Sequence, residues 1–531
     1  MRKTAITILL MTAALCSYAQ SAYDGLLFSE NNYEGTARSV AMGNAFTALG
    51  GDLGSVTINP AGSAVAGYSQ FTITPGLTFS ASTAQGVSPF SDGTLPYFER
   101  KMKSSMTSFN VPNMGMTISW DTGRNSGLKN VTVGFLANKT ASFEQDVYAN
   151  GLNSTTSFMG AMAVNADGFL ASDLNASNAY DYCPWSTVMG YQSGMISTFG
   201  GYDDRYVGAS ELVFDNGDIV LGGDIEQTYG RHVTGGKYDY VFNVGGNISD
   251  FLYLGVNLGI SALNYGYDEY FKEVAVDPND FEIALDNGEY MYFDKMKYNY
   301  RYEAEGSGAY AKFGAILTPG NGLRIGAAIQ TPVVNNILER WQYSGSTEFT
   351  SSKYNGYAYS PEGEYIYTVV SPFRANLGLA YTIGSYGVVS ADYEFCDYSQ
   401  MEFKTRGGDY DYFDEINNVI KEVFGPQHMW RFGAEFKLGA LALRGGYGFT
   451  TSPEKHFDGP YRSNFSFGLG YSSKGSFFAD LAVRKNIYNN EYYMPYSDYI
   501  FDDEDNILDP VPELLITRSD WKVLLTLGWR F

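Results

Sequence analysis

The sequence predicts an all-β protein: a transmembrane antiparallel β-barrel of about fourteen strands. Three observations carry this reading. The chain has 531 residues with 60 Gly, 44 Tyr and 16% aromatic residues, the composition of many strands and turns rather than of helices. Its strand candidates alternate apolar with small or polar residues, and tight turns and long loops join them by turns. An export signal opens the chain, and an amphipathic strand ending on Phe531 closes it.

Residues 1–19 form the signal. Arg2 and Lys3 supply the basic start, and Ala5 to Leu15 is apolar but too short to span a bilayer as a helix. Ser17-Tyr18-Ala19 ends on a small residue and places cleavage before Gln20. Cys16 would suit a lipoprotein signal, but Leu15 before it fits that processing poorly. No later stretch offers the roughly twenty apolar residues of a membrane helix, so any span must be β. The net charge of -23 argues against nucleic acid, which needs a basic footprint.

The strand candidates lie near 69–82, 106–121, 128–143, 228–249, 251–268, 300–318, 322–341, 366–384, 386–404, 427–438, 440–452, 462–473, 476–488 and 519–531. Tight turns at Asp121–Leu128, Ser249–Leu252, Thr318–Leu323, Ile383–Gly387, Leu438–Leu441 and Ser472–Ser476 alternate with longer loops, which a soluble sandwich has no reason to do. Leu252, Leu254, Val256, Leu258 and Ile260 share one face; Tyr253, Gly255, Asn257, Gly259 and Ser261 share the other. Alternation alone does not say whether the apolar face meets a core or lipid. The last strand helps: Trp521, Val523, Leu525, Leu527, Trp529 and Phe531 lie on one face, which a soluble edge strand would leave in water. It resembles the C-terminal strand by which barrel assembly machinery recognises outer-membrane barrels. Pro332 falls inside a candidate and predicts a bulge or bend.

Before the first strand comes Thr36 to Ala64. Ala37, Ala41, Ala45 and Ala48 share a helical stripe that lets a helix lie close to a wall, and Gly50-Gly51 are expected to stop it. Asn59-Pro60-Ala61-Gly62 reads as a turn. Taken alone, these residues describe a cap helix on a soluble domain. The run Ala41-Met42-Gly43-Asn44-Ala45-Phe46, followed by Asp52 and by Asn59-Pro60-Ala61, resembles the N-terminal hatch of the FadL/TodX family of outer-membrane long-chain fatty acid and hydrocarbon transporters. The resemblance implies a fourteen-stranded barrel with this hatch inside its lumen. The expected organisation is a signal over 1–19, a hatch over 20–67 and a barrel over 68–531. Arg38, Gly50, Gly51, Asp52, Asn59, Pro60 and Ala61 are the expected hatch and gating residues. In the family, solute also leaves sideways through a gap in the wall near the hatch.

The inward faces carry Arg324, Arg374, Asp392, Glu394, Arg431, Glu435, Arg444, Asp480, Arg484 and Arg530. Buried charges need partners, so these are expected to pair across strands and with the hatch; an arginine near the ligand path would also suit a carboxylate. Helices are expected within Ser157–Ser177 and over Tyr412–Phe424, the latter capped by Asp411 and ended by Gly425-Pro426. The resemblance places them outside the cell, with Phe158, Met159, Met162, Phe413, Ile416 and Ile420 as an apolar groove; equally, they fold over the barrel mouth. Cys183 and Cys396 are expected as free thiols, and with three His and no CxxC pair no metal site is expected. No nucleophile, phosphate-binding or dinucleotide motif has its context, so neither an enzyme nor a cofactor is expected.

These readings converge on a monomeric barrel in the outer membrane of a Gram-negative bacterium. Its expected surroundings are membrane lipid and lipopolysaccharide, and its expected ligand is a hydrophobic small molecule taken up passively. Two alternatives remain at this level: a haem uptake or binding barrel, with His456 or a loop tyrosine as ligand, and a structural or adhesive barrel without transport.

Overall fold

The computed structural model describes residues 20–88, 97–214, 217–285, 288–406, 412–457, 459–473, 476–501 and 506–531. Residues 1–19, and Asp411 as the expected helix cap, lie outside them. The strands are β1 (Gln70–Gly86), β2 (Met102–Asp121), β3 (Leu128–Ser142, continued by Gln145–Asn153), β4 (Ile225–Ile248), β5 (Leu252–Ala275), β6 (Tyr290–Gly320) and β7 (Leu323–Gln330, continued by Val334–Phe349). They continue with β8 (Gly363–Val370 and Arg374–Ile383), β9 (Gly387–Asp397 and Glu402–Thr405), β10 (Pro426–Leu438), β11 (Leu441–Thr451), β12 (Pro460–Ser472), β13 (Phe477–Tyr488) and β14 (Leu514–Arg530). Each pairs antiparallel with the next, and β14 pairs with β1 from Gln70↔Arg530 to Gly86↔Leu514, which closes the ring. The predicted all-β antiparallel barrel of about fourteen strands is the observed one: the ring is closed, it has fourteen strands, and short helices precede it.

Burial is inverted relative to a soluble β protein. On β5, Leu254, Val256, Leu258 and Ile260 point outward and are exposed, while Asn257 and Ser261 point inward and are buried. The same holds for exposed Leu323, Ile325 and Ile329 on β7 and for Phe465, Phe467 and Leu469 on β12. Period two fixes this: once one residue of a strand faces outward, every second one does. At the hatch end the turns are tight, and Ser249 and Asp250 close the β4–β5 turn at φ 58 and 55. At the other end several strands run far past the apolar band and are roofed by loops.

Four strands are interrupted. In β7 the break spans Thr331-Pro332-Val333, where proline was expected to bend the chain. Beside it, β8 breaks between Val370 and Arg374, and β9 breaks around Tyr398–Gln400. Side chains replace the missing ladder bonds: Val333 N donates to Ser371 Oγ at 3.0 Å, and Ala311 N to Thr331 Oγ1 at 3.1 Å. β3 breaks at Phe143–Glu144, and its ladder with β2 stops at Asn113↔Asn138.

The helices are α1 (Ala22–Ser29), α2 (Ala37–Ala41), α3 (Phe158–Ala166), α4 (Ala171–Leu174), α5 (Trp185–Gln192) and α6 (Asp414–Val423). Among the described residues none is long and apolar enough to cross a membrane. α3 to α5 build the roof over an apolar core that includes Met159, Met162, Leu174, Val188 and Ile196. Two helix expectations need correction. α2 does not run on to Gly50: it ends at Ala41, because Gly43 and Asn44 turn left-handed at φ 62 and 61. Asn44 Nδ2 donates to Tyr33 O at 2.7 Å and Gly43 N to Ser466 Oγ at 3.2 Å, so bonds to the preceding loop and to the wall outweigh helix propagation. α6 begins at Asp414 rather than Tyr412, because Phe413 turns inward and is buried. Cys183 and Cys396 are both free and buried, one in the roof core and the other in the lumen.

Candidate functional site: the hatch and the lumen

The hatch is a chain of short turns tied to the lumen face by polar bonds. Thr36 caps α2, accepting from Ser39 N at 3.2 Å, and its hydroxyl lies 2.7 and 2.8 Å from the two oxygens of Asp52. Asp52 therefore binds one hatch turn to another rather than binding the wall. Arg38 reaches the wall: its Nε and a terminal nitrogen donate to the two oxygens of Glu435 at 3.0 and 3.3 Å. Arg444 donates to the same carboxylate at 2.7 Å and pairs with Asp480, so the cluster alternates in sign across β10, β11 and β13. Such fork-to-carboxylate pairs fix orientation as well as charge.

The Asn59 turn is the second anchor. Its Nδ2 lies 2.6 Å from Thr47 O, 3.1 Å from Ala315 O on β6 and 3.3 Å from Ala327 O on β7, and its Oδ1 accepts from Ala61 N at 3.1 Å. Pro60 starts the following 3-10 turn, where its missing N–H costs nothing. The wall admits this turn only because it is bare: a Cβ on Gly314 would lie 2.0 Å from Asn59 Oδ1, and one on Gly255 2.3 Å from Pro60 C. Gly50 and Gly51 adopt φ 62 and 70, and Gly51 N donates to Gly62 O at 2.8 Å, which folds the two turns against each other.

The lumen charges separate into clusters. Glu394 accepts from Arg374 at 3.2 Å and from Asn376 at 2.7 Å, and Arg431 lies 3.2 Å from it, all three charged side chains being buried. Asp392 instead takes the hatch: Thr47 N and Oγ1 both donate to it at 2.7 Å. Arg324 donates to Leu49 O at 2.8 Å and Arg484 to Tyr33 O at 3.1 Å. Arg530, at the hatch end, stacks on Phe478 at 4.5 Å. The sequence reading missed Tyr33, Glu34 and Lys312. Asn31-Asn32-Tyr33-Glu34 looks like a surface loop, yet Glu34 pairs with Lys522, Lys312 Nζ donates to Thr57 O at 2.9 Å, and Arg431 lies 5.4 Å from the Tyr33 ring. A polar run just before a small-residue helix was the available signal.

The six apolar groove candidates do not share a surface. Met159 and Met162 are buried in the roof core, where Phe158 stacks on Phe271 at 5.1 Å. Phe413 and Ile420 are buried, with Ile416 beside them, in a separate lumen cluster around Leu26 and Phe28 of α1. Apolar residues on loop helices were free to pack inward, and did so.

No family model matches the sequence, and no curated protein matches it. Solved structures do. A Pseudomonas aeruginosa FadL homologue superposes with a TM-score of 0.52 at 10% identity, over 94% of this chain and 99% of that one. The Pseudomonas putida toluene transporter TodX gives 0.49 at 12% identity, over 95% and 100% of the two chains. The Ralstonia pickettii toluene transporter TbuX gives 0.43 at 12% identity, over 95% and 100%. At such identities the likeness concerns architecture alone, and it is full-length: the chain is built on the FadL fold, a closed fourteen-stranded barrel that carries its N-terminal segment inside.

Proposed function

We propose that the protein resides in the outer membrane of a Gram-negative bacterium and admits hydrophobic small molecules passively. The observation that carries this is a seam beside the hatch. The β2–β3 ladder ends at Asn113 and Asn138, and Asn138 Nδ2 donates to the hatch residue Thr57 Oγ1 at 3.1 Å. Beyond that point, among the described residues, β2 has no ladder partner on its β3 side, and β3 bends inward at Phe143–Glu144, where side chains replace the ladder: Ser108 Oγ of β2 donates to Glu144 Oε2 at 2.5 Å and Ser80 Oγ of β1 to Glu144 O at 3.2 Å. A wall that unzips where the plug touches it gives an apolar solute a sideways route into lipid, with the plug as its gate. The exposed apolar band supports a lipid setting, because burying it in hydrocarbon removes its contact with water. A barrel without transport is the second reading, favoured by the density of hatch–wall bonds.

A reversible lock tests the two. A Cβ built on Gly245 lies 3.2 Å from Ala64 Cβ, close to the roughly 3.5–4.5 Å of a disulfide. Ala64→Cys with Gly245→Cys, in a chain also carrying Cys183→Ser and Cys396→Ser, ties the hatch to β4. Vesicles holding the oxidised protein should take up labelled oleate or toluene more slowly than reduced ones. Equal uptake, with the disulfide proven by mass spectrometry, would overturn the gated route.

A further inference from the structure

Above α1 and beneath the roof, the inward faces of β4 to β7 carry aromatic rings rather than an aliphatic lining. Tyr267 lies 5.7 Å from Tyr300, and Tyr300 lies 4.5 Å from Tyr343. Trp341 faces the same space and meets Trp185 of the roof at 5.5 Å. Register puts these rings inside: Tyr267 shares a strand face with buried Tyr265 and Phe271, Tyr300 with buried Tyr302, and Tyr300 is paired with Tyr343. Each nonetheless keeps part of its surface open, so they face interior space.

One ion pair lies in this wall. Arg231 and Glu269 stand opposite each other on β4 and β5, with Nε 3.8 Å from Oε2, and each keeps 23% of its side chain open. That separation exceeds a hydrogen bond, and Arg231 Nε has no hydrogen-bond partner. The guanidinium is held instead by Tyr265 Oη at 3.2 Å and by the Tyr267 ring, whose centre is 4.4 Å away. Glu269 accepts from Tyr229 at 2.8 Å and Tyr493 at 3.2 Å.

We propose that this chamber binds a flat aromatic ring bearing a hydroxyl group, the ring lying on the Tyr267–Tyr300–Tyr343 wall and the hydroxyl bridging Arg231 and Glu269. The inference rests on the uptake reading and narrows its ligand. A hydroxyl both donates and accepts, so it serves the carboxylate and the guanidinium together. A plain hydrocarbon strips water from the open part of the pair and returns no hydrogen bond. A fatty acid sets its own negative charge beside Glu269. Aromatic walls reward planar ligands through offset and edge contacts that an alkyl chain cannot make.

Equilibrium dialysis of the full mature protein in detergent, at neutral pH, separates these classes with 2-naphthol, naphthalene and decanoate as probes. A hydrogen bond to a charged group corresponds to about a tenfold gain, so 2-naphthol should bind about tenfold more tightly than naphthalene, and decanoate less tightly than 2-naphthol. Arg231→Met with Glu269→Leu, which removes both the donor and the acceptor, should bring 2-naphthol down to the naphthalene level. Tyr300→Leu should weaken both aromatics and leave decanoate unchanged. Naphthalene or decanoate binding as tightly as 2-naphthol would overturn the proposal, and so would a hydroxyl advantage surviving the double substitution. Should the double variant fail to fold, the ratios in the unmodified protein decide. Vesicle uptake separates the two readings: if naphthalene and decanoate enter but 2-naphthol has no advantage, only the chamber assignment fails; if no probe enters, the uptake route itself fails.

Discussion

Replacing Asn59 by alanine should loosen the hatch without opening the barrel. Its amide nitrogen lies within bonding distance of Thr47 O, Ala315 O and Ala327 O, at 2.6, 3.1 and 3.3 Å, and its oxygen holds Ala61 N at 3.1 Å. Two amide hydrogens and one acceptor amount to about three bonds, each contributing roughly 0.5–1.5 kcal/mol net, and the carbonyls left behind are buried. Asn59→Ala should therefore lower the free energy of local hatch opening by about 2–4 kcal/mol. Since about 1.4 kcal/mol is a factor of ten, amides between residues 41 and 64 should exchange with deuterium roughly thirtyfold to several hundredfold faster. Mass spectrometry on the protein in detergent reads this directly, with β-strand peptides as the internal reference. Asn279→Ala, in an exposed loop, should leave hatch exchange unchanged. If Asn59→Ala peptides exchange at the unmodified rate, the turn is not what holds the plug.

Three further outcomes are expected. Glu394→Ala strands the Arg374 and Arg431 guanidiniums, both buried, so it should cost about 3–5 kcal/mol in urea unfolding followed by gel mobility. Glu435→Gln weakens the anchors of Arg38 and Arg444 together, so protease should reach the hatch sooner while β-sheet circular dichroism stays constant. In the roof, burial pushes the Glu211 carboxyl up to about 7, against the pull of bonds from Gly208 N and Tyr499, with Glu273 nearby adding to the rise. A raised carboxyl binds its proton more tightly when folded than when unfolded, so roof stability should fall as pH rises from about 4.5 to about 7 and level off above that. Glu211→Gln should reduce this dependence and make the roof more stable at pH 8, by an amount on the order of 3 kcal/mol, measured as the pH dependence of roof amide exchange.

Local patterning along the chain sets the ribbon. Alternation of residues such as Leu254, Val256 and Leu258 with Gly255 and Asn257 is a local property, and period two turns it into an inside and an outside without knowledge of any partner strand. The order of the fourteen strands, their tight turns, the break at Pro332 and the Asn59-Pro60 turn before β1 were legible for the same reason. Which residues meet is a matter of closure and packing. Every inward arginine looks alike along the chain; closing the ring and setting the register put Glu394 between Arg374 and Arg431, and gave Asp392 to Thr47. Met159 and Phe413 carry the same apolar signal as groove or as core, and packing sent them to different clusters. The end of α2 at Ala41, the seam past Asn113 and the Arg231–Glu269 pair depend on contacts between residues hundreds of positions or a full strand apart, which local periodicity does not encode.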